Sequence, residues 1–541
     1  MTWVQIYSPL STMFLSALVA AIPLLVLLYM LGIRRSPGHY AAFMGTSSAL
    51  LLAIVVWKMP VTLAVSSTLY GSLVGIFPIV WIIINAIWIY NMTVESGEFE
   101  IIKNSLASIT EDRRMQAIFI AFAFGAFIEG TAGFGTPVAI TAAMLVGLGF
   151  NPIYAAGLCL IANTAPVAFG GIGLPIIVAA SVSNLDVLKI SQIVGRQLPL
   201  ISFIVPIWVC VFMSGWKRTM EVLPALLVAG GAFAVTQWGF SNFHGPYLVD
   251  IAAATACILA LGAFLRVWKP AQIWRFPGEA PSVKTATQYS VGTIFRAWLP
   301  YVFIGIIILV WSFPSTKAFL APFGAKIDWP LLHNLVIKTT PVVVKNTPYA
   351  AIYDFNFGAT TGTAIWLAGI LSVFAIPNYG WSRAIPCYVK TCKQLVLPIV
   401  TIATILGLAF LMNYSGMSST LGLAFTATGS LFPFFSPILG WMGVFLTGSD
   451  TSSNALFANM QKTAAEQLGL DPHLTVAANS SGGVVGKMIS PQSISVATAA
   501  TGMVGEEGTI FRFTVVHSIG MIAIIAVMTY LQATALRWML P

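Results

Sequence analysis

The sequence predicts an all-α polytopic membrane protein with about 12–14 transmembrane helices in two structural repeats. Three observations carry this prediction. Of the 541 residues, 58% are hydrophobic and only 8% are charged, and the mean hydropathy is +0.88. A soluble domain carries about a quarter charged residues, so this chain has too few charges to cover a surface that faces water. Long apolar runs recur along the chain, and short motifs repeat between its halves.

Apolar runs long enough to cross a bilayer, which takes roughly 20 residues, follow one another along the chain. They are 10–33, 40–57, 70–92, 190–215, 221–240, 248–267, 293–313, 360–377, 393–413 and 510–533. The run 420–442 contains Pro433 and Pro437, and the sequence leaves open whether it crosses. The first run lacks a basic head and a cleavage site, which predicts a retained helix.

Basic residues orient these spans, because cytoplasmic loops carry an excess of Lys and Arg. One topology places all the basic clusters inside: Arg34–Arg35, Lys103 with Arg113–Arg114, Lys217–Arg218, the group Arg266, Lys269, Arg275, Lys284 and Arg296, and Arg383 with Lys390 and Lys393. The N-terminus and the connection 314–359 are then external. The net charge of +9 comes without a run of four basic residues, so nucleic acid is not an expected partner.

Two regions depart from the pattern of clean spans. The run 115–150 is interrupted by 129–137, which leaves two arms too short to cross and predicts a helical hairpin or a broken helix. The next run, 152–183, is cut at 163–166 and again at 170–173. The arrangement recurs downstream at 448–454, 479–483 and 486–492.

The recurrence is nearly constant in spacing. Gly125–Thr131 matches Gly443–Ser449 at an offset of 318, Leu148–Pro152 matches Leu468–Pro472 at 320, and Ala162–Thr164 matches Ala478–Ser480 at 316. These matches predict a single membrane domain, 1–541, with repeat one at about 1–215, linker helices and a basic loop at 216–289, and repeat two at about 290–541. Asn151-Pro152 and Asp471-Pro472 each predict a helix start.

Broken helices at equivalent places in two repeats indicate a substrate site. Backbone that leaves helical geometry inside hydrocarbon exposes unpaired N–H and C=O groups, unless protein or water encloses them. Paired discontinuous helices are typical of a transporter's midplane site, where half-helix N-termini face an anionic group. We therefore expect a substrate site where the two broken regions meet.

Three charged residues lie deep in these regions. Glu129 and Asp450 are candidate proton carriers, because burial disfavours the charged carboxylate and such groups often carry ions. The alternative is that each caps a half-helix or pairs with Lys487. Lys487 could hold a substrate carboxylate or neutralise Asp450.

Polar residues cluster around the same breaks. They are Thr131, Asn163, Thr164, Ser452, Ser453, Asn454, Asn479, Ser480, Ser481 and Gln492. Such side chains can donate hydrogen bonds to an oxyanion and accept one from a hydroxyl, so the cluster is a candidate substrate-binding set. For any one of them, the alternative role is hydrogen bonding between helices.

Other classes of protein lack support in the sequence. The five histidines have no HExxH or paired ligand spacing, and no Walker loop or GxSxG motif occurs. No metal, no cofactor and no enzymatic activity are therefore expected. A channel is the remaining rival, although a pore is more often built by symmetric subunits.

Four segments that contain these breaks resemble the bacterial lactate permease family, secondary transporters of lactate and glycolate. They are GAFIEGTAGFGTPVAI (125–140), NTAPVAFGGIG (163–173), TGSDTSSNALF (447–457) and NSSGGVVGKMISPQ (479–492), and the likeness in length and hydropathy extends over nearly the whole chain. The resemblance implies proton-coupled uptake of lactate, and of glycolate, across the bacterial cytoplasmic membrane. Lys487 and the N–H groups of the half-helices would then hold the substrate carboxylate, and the polar cluster would bind the 2-hydroxyl. Asp450 or Glu129 would carry the proton.

The resemblance also implies kinship with a broader ion-transporter group. Its members have a scaffold domain and a mobile transport domain with two hairpins, which moves as an elevator. Ser452-Ser453-Asn454 only approximates their Ser-Asn-Thr hairpin signature, so sodium coupling, or exchange of another small monocarboxylate, is the alternative to proton coupling. The expected partners are the small-molecule substrate and the lipid bilayer, with a homodimer left open.

Overall fold

The computed structural model describes residues 2–34, 36–107, 109–133, 135–276 and 289–541. The predictions that concern Arg35 and Lys284 lie outside these residues. Helices make up most of the described chain, as the composition predicts.

The helices divide into three groups along the chain. The first group is α1 (Met13–Leu28), α2 (Gly38–Val55), α3 (Val61–Val74), α4 (Trp81–Ser96), α5 (Glu98–Ala107), α6 (Arg113–Ala117), α7 (Gly125–Thr131), α8 (Thr136–Gly147), α9 (Pro152–Ala162), α10 (Gly170–Ser183) and α11 (Val187–Ser214). The middle group is α12 (Trp216–Met220), α13 (Leu223–Phe243) and α14 (Val249–Val267). The last group is α15 (Val291–Ser312), α16 (Pro314–Leu320), α17 (Thr361–Ala375), α18 (Gly380–Gln394), α19 (Val396–Ser415), α20 (Met417–Phe425), α21 (Phe432–Thr447), α22 (Asp450–Gln467), α23 (Pro472–Lys487), α24 (Pro491–Thr501) and α25 (Glu507–Ala533).

Ten helical segments of the described chain are long and apolar enough to cross a bilayer, or eleven if one bent pair counts as a span. This is fewer than the predicted 12–14, because several apolar helices are hairpin arms or half-helices that end in the interior. The run 70–92 lies in a longer segment, Val61–Ser96, with extended backbone at Phe77. The undecided run 420–442 is interrupted at Gly429, and its second part belongs to α21.

The first interrupted region is a helical hairpin followed by a broken helix, as predicted. In hairpin 1, residues 113–147, α6 continues through a π-helical segment, Ile118–Phe124, into α7, and the chain turns back into α8. In broken helix 1, residues 152–183, the two halves meet at 63°. Pro152 occupies the first turn of α9, and the Asn151 side chain accepts a hydrogen bond from the Ile153 N–H, which confirms this predicted helix start.

The second interrupted region has the same order of elements. Hairpin 2, residues 432–467, consists of α21 and α22, and broken helix 2, residues 472–501, consists of α23 and α24. The Asp471 carboxylate accepts a hydrogen bond from the His473 N–H at the start of α23, again as predicted.

One expected interruption is wrong: residues 479–483 lie inside the continuous helix α23, and broken helix 2 is interrupted only at 488–490. The glycines there serve packing. A Cβ added at Gly482 would collide with the Pro437 carbonyl oxygen, and one added at Gly486 would collide with that of Trp441. Small residues let α23 approach α21 closely, which is typical of helix packing in membranes.

The bases of the two hairpins contact different loops. At the base of hairpin 1, the fully buried Arg114 guanidinium pairs with Asp112 at 2.6 Å and with Glu221 at 3.0 Å, and it donates to the backbone carbonyl of Gln272. At the base of hairpin 2, the Gln467 amide donates to the carbonyl of Pro341. The base of hairpin 1 therefore contacts the segment before α15, and the base of hairpin 2 contacts the segment after it.

Five short strands lie outside the helical bundle and were not predicted. They are β1 (Trp3–Val4), β2 (Ala325–Asp328), β3 (Val336–Lys338), β4 (Thr347–Pro348) and β5 (Ile352–Phe355). β1 pairs in parallel with β3, which pairs antiparallel with β4, while β2 and β5 form a separate antiparallel ribbon. The pairing of β1 with β3 places the N-terminus and the 314–359 connection on one face, in agreement with the predicted topology.

Candidate functional site

A small cavity lies where the two hairpins and the two broken helices meet. Its volume is about 70 Å³. A buried water needs about 10–15 Å³ on this scale, so the space suits roughly five waters or a ligand of that size. The lining residues are Glu129, Gly133, Gly135, Val167, Gly170, Gly171, Leu174, Pro175, Gly448, Ser449, Asp450, Thr451, Lys487, Gln492, Ser493 and Val496. The tips of both hairpins therefore meet at one cavity, which polar and apolar residues both line.

The N-terminal turns of four helices line this cavity. α8 begins directly after Gly135, the Ser449 side chain caps α22, and Ser490 caps α24. Regular backbone in α10 resumes at Leu174, after three residues with positive φ at 171–173. Each helix N-terminus carries about half a positive charge and unpaired N–H groups, so this arrangement favours an anion.

Glu129 and Lys487 form a buried ion pair in the cavity wall. The Lys487 Nζ lies 2.8 Å from the Glu129 Oε1, and the two side chains are 9% and 4% exposed. The Asn163 amide donates to the other carboxylate oxygen of Glu129 at 3.0 Å. A Cβ at residue 170 would lie 2.6 Å from the Glu129 Oε1, so Gly170 provides the space that this carboxylate occupies. Among the described residues, Lys487 thus pairs with Glu129 and not with Asp450.

Asp450 lies in the first turn of α22, where a carboxylate favours the helix dipole. Its Oδ2 accepts a hydrogen bond from the Ser480 hydroxyl at 2.6 Å. Its Oδ1 has no hydrogen-bond partner among the described residues. One oxygen of a buried carboxyl at the cavity wall is therefore left without a partner within the described protein.

A chain of polar side chains extends from Asp450 away from the cavity. The Asn454 amide donates to the Pro175 carbonyl and to the Ser480 hydroxyl, each at 3.1 Å. The Asn479 amide donates to the Asn454 side-chain oxygen at 2.8 Å, and the Gln461 amide donates to that of Asn479 at 2.7 Å. These bonds join hairpin 2 to both broken helices, so this part of the predicted cluster holds helices together behind the cavity.

The other predicted polar residues occupy different positions. Gln492 lines the cavity and packs against Gly448. The Thr131 hydroxyl donates to the Phe127 and Ile128 carbonyls of its own helix, and the Ser453 hydroxyl donates to the Gly440 carbonyl. The remaining three are Ser452, whose N–H donates to the Ser449 cap, and Thr164 and Ser481, whose buried hydroxyls have no partner among the described residues.

A third buried acidic residue of interest, Asp250 in the first turn of α14, was not predicted from the sequence. Its side chain is 1% exposed, and it interacts electrostatically with Glu129 and Lys487. The signal was present, since Asp250 lies near the start of the apolar run 248–267. An acidic residue in a first helical turn is also an ordinary N-terminal feature, and only the tertiary fold brings it towards Glu129.

The helical bundle, its paired hairpins and the anion-favouring cavity between them define a multi-pass membrane protein of the transporter class. The family model described as L-lactate permease matches residues 16–536, and the chain belongs to that family. This agrees with a location in the bacterial cytoplasmic membrane and confirms the resemblance of the four segments.

Curated relatives match over the whole chain. The L-lactate permease of Salmonella typhi is 50% identical over 100% of both chains, and that of Bacillus subtilis is 46% identical, also over 100% of both. The glycolate permease GlcA of Escherichia coli is 48% identical over 100% of this chain and 99% of its own. Among solved structures, Neisseria gonorrhoeae MtrF aligns with a TM-score of 0.48 at 11% identity, over 94% of this chain and 97% of that chain.

Proposed function

We propose that this protein imports lactate, and also glycolate, together with protons across the bacterial cytoplasmic membrane. Relatives named for lactate and for glycolate are about equally similar to the chain, at 50% and 48% identity. Both substrates are short 2-hydroxymonocarboxylates, so a cavity that suits a small anion fits either of them. The membership of the chain in a permease family supports transport and not an enzymatic reaction.

The observation that carries the proposal is the buried pair of Lys487 and Glu129 in the cavity wall. The Lys487 ammonium could bind a substrate carboxylate, but it is already paired with the Glu129 carboxylate. Protonation of Glu129 removes its charge and frees the Lys487 ammonium for the substrate. Because a buried ammonium needs an anionic partner, binding of the substrate anion and of a proton favour one another. This competition is a physical basis for coupling.

The cavity supplies further groups for the substrate. The four helix N-termini favour the negative charge of the carboxylate. Gln492 is the member of the predicted polar set that reaches the cavity wall, and Thr451 and Ser493 line it as well. We assign the 2-hydroxyl to these side chains, since amides and hydroxyls both donate and accept hydrogen bonds. Asp450, with one oxygen unpartnered among the described residues, remains the second candidate proton carrier.

The movement that exposes the cavity to each side is also part of the proposal. The tips of the hairpins and the breaks of the broken helices line one cavity, and hydrogen bonds such as that from Asn454 to Pro175 join them. We propose that these four parts move together as the transport domain of an elevator, with the two repeats entering from opposite faces.

Accumulation of labelled lactate in vesicles that contain the purified protein tests the proposed function. With an imposed inward proton gradient, the wild-type protein should concentrate lactate, and unlabelled glycolate should compete. Glu129→Gln and Asp450→Asn should abolish this accumulation, while exchange of lactate across vesicles loaded on both sides persists. Asp186→Asn is the matched control, because this exposed carboxylate caps α11 and is not among the described residues that line the cavity; it should transport as the wild type does.

Each other outcome has a distinct meaning. Accumulation that needs a sodium gradient and not a proton gradient would replace proton coupling by the sodium alternative. Flux without accumulation would indicate a channel. Full accumulation by both carboxyl variants would remove Glu129 and Asp450 as proton carriers, and transport of other monocarboxylates but not lactate would contradict the assigned substrate.

A further inference from the structure

Asp250 is a buried carboxyl group that the coupling scheme above does not use. It is the second residue of α14, and its side chain is 1% exposed. Neither carboxyl oxygen has a hydrogen-bond partner among the described residues. Ionised carboxylates buried without donors or a cation are very costly. This environment therefore favours the neutral, protonated form of Asp250 in the substrate-free protein.

Asp250 packs against Gly130, the residue that directly follows Glu129 in the chain. A Cβ added at Gly130 would lie 2.8 Å from the Asp250 Cβ and 3.1 Å from the Ile251 nitrogen. Gly130 thus allows α7 and α14 to touch at the level of the Glu129 and Lys487 pair. Glu129 and Lys487 are also the charged groups that interact electrostatically with Asp250.

Within the described part of the chain, the elements with the most extensive packing against α14 carry one titratable side chain. These elements are α7, α10, α13 and the π-helical segment Ile118–Phe124, and Glu129 is the only titratable residue within them. The turn before α14 carries His244 and Tyr247. Glu129 is therefore the carboxyl group that these neighbouring helices place nearest in sequence to the Gly130 contact with Asp250.

We propose that Asp250 stores a proton in the substrate-free protein and passes it to Glu129 when the substrate takes Lys487. This inference rests on the proposed function and adds a positioning and relay group to it. In the transfer, the O–H bond of the Asp250 carboxylic acid breaks and an O–H bond forms on the Glu129 carboxylate, directly after a rotamer change or through one water. The Asp250 carboxylate then takes a proton from solution, so one proton is gained for each substrate bound.

The test compares the initial rate of lactate uptake with the equilibrium binding of lactate in Asp250→Asn. This substitution keeps the shape of the side chain but removes the group that holds and releases the proton. The initial rate of proton-driven lactate uptake should fall at least about tenfold, since a positioned proton donor contributes on the order of 10²–10⁴-fold. Equilibrium binding of lactate should stay within about threefold of wild type, because Lys487 and the helix N-termini are untouched. Asp250→Glu should restore most of the rate, and Asp186→Asn serves as the control.

Several results would overturn the relay. One is a wild-type uptake rate in Asp250→Asn. Another is an equal loss of rate and of lactate binding in a monodisperse Asp250→Asn protein, which indicates a structural role. If Asp250→Asn does not fold, a folded Asp250→Glu protein without proton-driven uptake would likewise exclude it. A wild-type protein that lacks proton-driven uptake would instead refute the proposed function itself, so the two failures are distinguishable.

Discussion

Removal of the Lys487 ammonium should lower the free energy of unfolding, because it breaks the buried ion pair with Glu129. In Lys487→Met, the side chain keeps its length but loses its charge, and the Asn163 amide is the partner that Glu129 keeps among the described residues. Breaking a buried pair by removal of one partner costs roughly 3–5 kcal/mol, because the other charge stays buried. The 2.8 Å separation and the low exposure of both side chains place this pair in that class.

The double variant Glu129→Gln, Lys487→Met completes a double-mutant cycle. Since the double variant leaves neither charge, it should be more stable than Lys487→Met alone. Thermal or denaturant unfolding in detergent measures the three variants against wild type. Lys462→Met is a matched control: this partly buried lysine donates to the Ser183 carbonyl and lies 3.8 Å from Glu466, so its loss should cost less than about 1 kcal/mol.

The same variants separate stability from binding. Lys487→Met should lose measurable lactate binding, because Lys487 is the one side-chain cation among the described residues that line the cavity. Glu129→Gln should still bind lactate. Stability of Lys487→Met equal to wild type, or additive losses in the double variant, would refute the argument from the buried ion pair.

Two further predictions concern packing and movement. Gly482→Ala should destabilise the protein by roughly 1–3 kcal/mol, because the added Cβ would overlap the Pro437 carbonyl oxygen. Gly262→Ala in α14 is the control, since its Cβ would enter open space and should leave stability unchanged. Thermal or denaturant unfolding compares the two variants. A cleavable cross-link between cysteines placed at Val182 and Asn413, whose carbonyl and amide are hydrogen bonded, should stop transport until it is cleaved. Undiminished transport by the cross-linked protein would contradict movement of α10 relative to α19.

Local features of this fold could be predicted from the sequence. Proline after Asn151 and Asp471, and glycine-rich interruptions of apolar runs, give the hairpins and broken helices, because caps and breaks depend on neighbouring residues. The short strands β1 to β5 could not be predicted, since their pairing joins segments far apart in the chain. Glycines that break a helix and glycines that let helices touch also look alike, which explains the wrong interruption at 479–483.

The site was predictable as a region but not as a set of contacts. Glu129 and Lys487 are 358 residues apart in the chain, and the sequence offered Asp450 as an alternative partner for the lysine. The sequence predicts Thr131 as a substrate-binding residue, but in the structure its hydroxyl donates to a carbonyl of its own helix. Asp250 lies in the linker between the predicted repeats. Its neighbours in the sequence do not distinguish it from an acidic residue that merely stabilises a helix N-terminus.

Proton uptake on lactate binding is the most direct measurement of the central claim, that a substrate carboxylate replaces Glu129 on Lys487. It can be read with a pH indicator in weakly buffered detergent solution. The wild-type protein should take up about one proton for each lactate bound, and Glu129→Gln, which still binds lactate, should take up none. Wild-type binding without proton uptake, or undiminished uptake in Glu129→Gln, would contradict it.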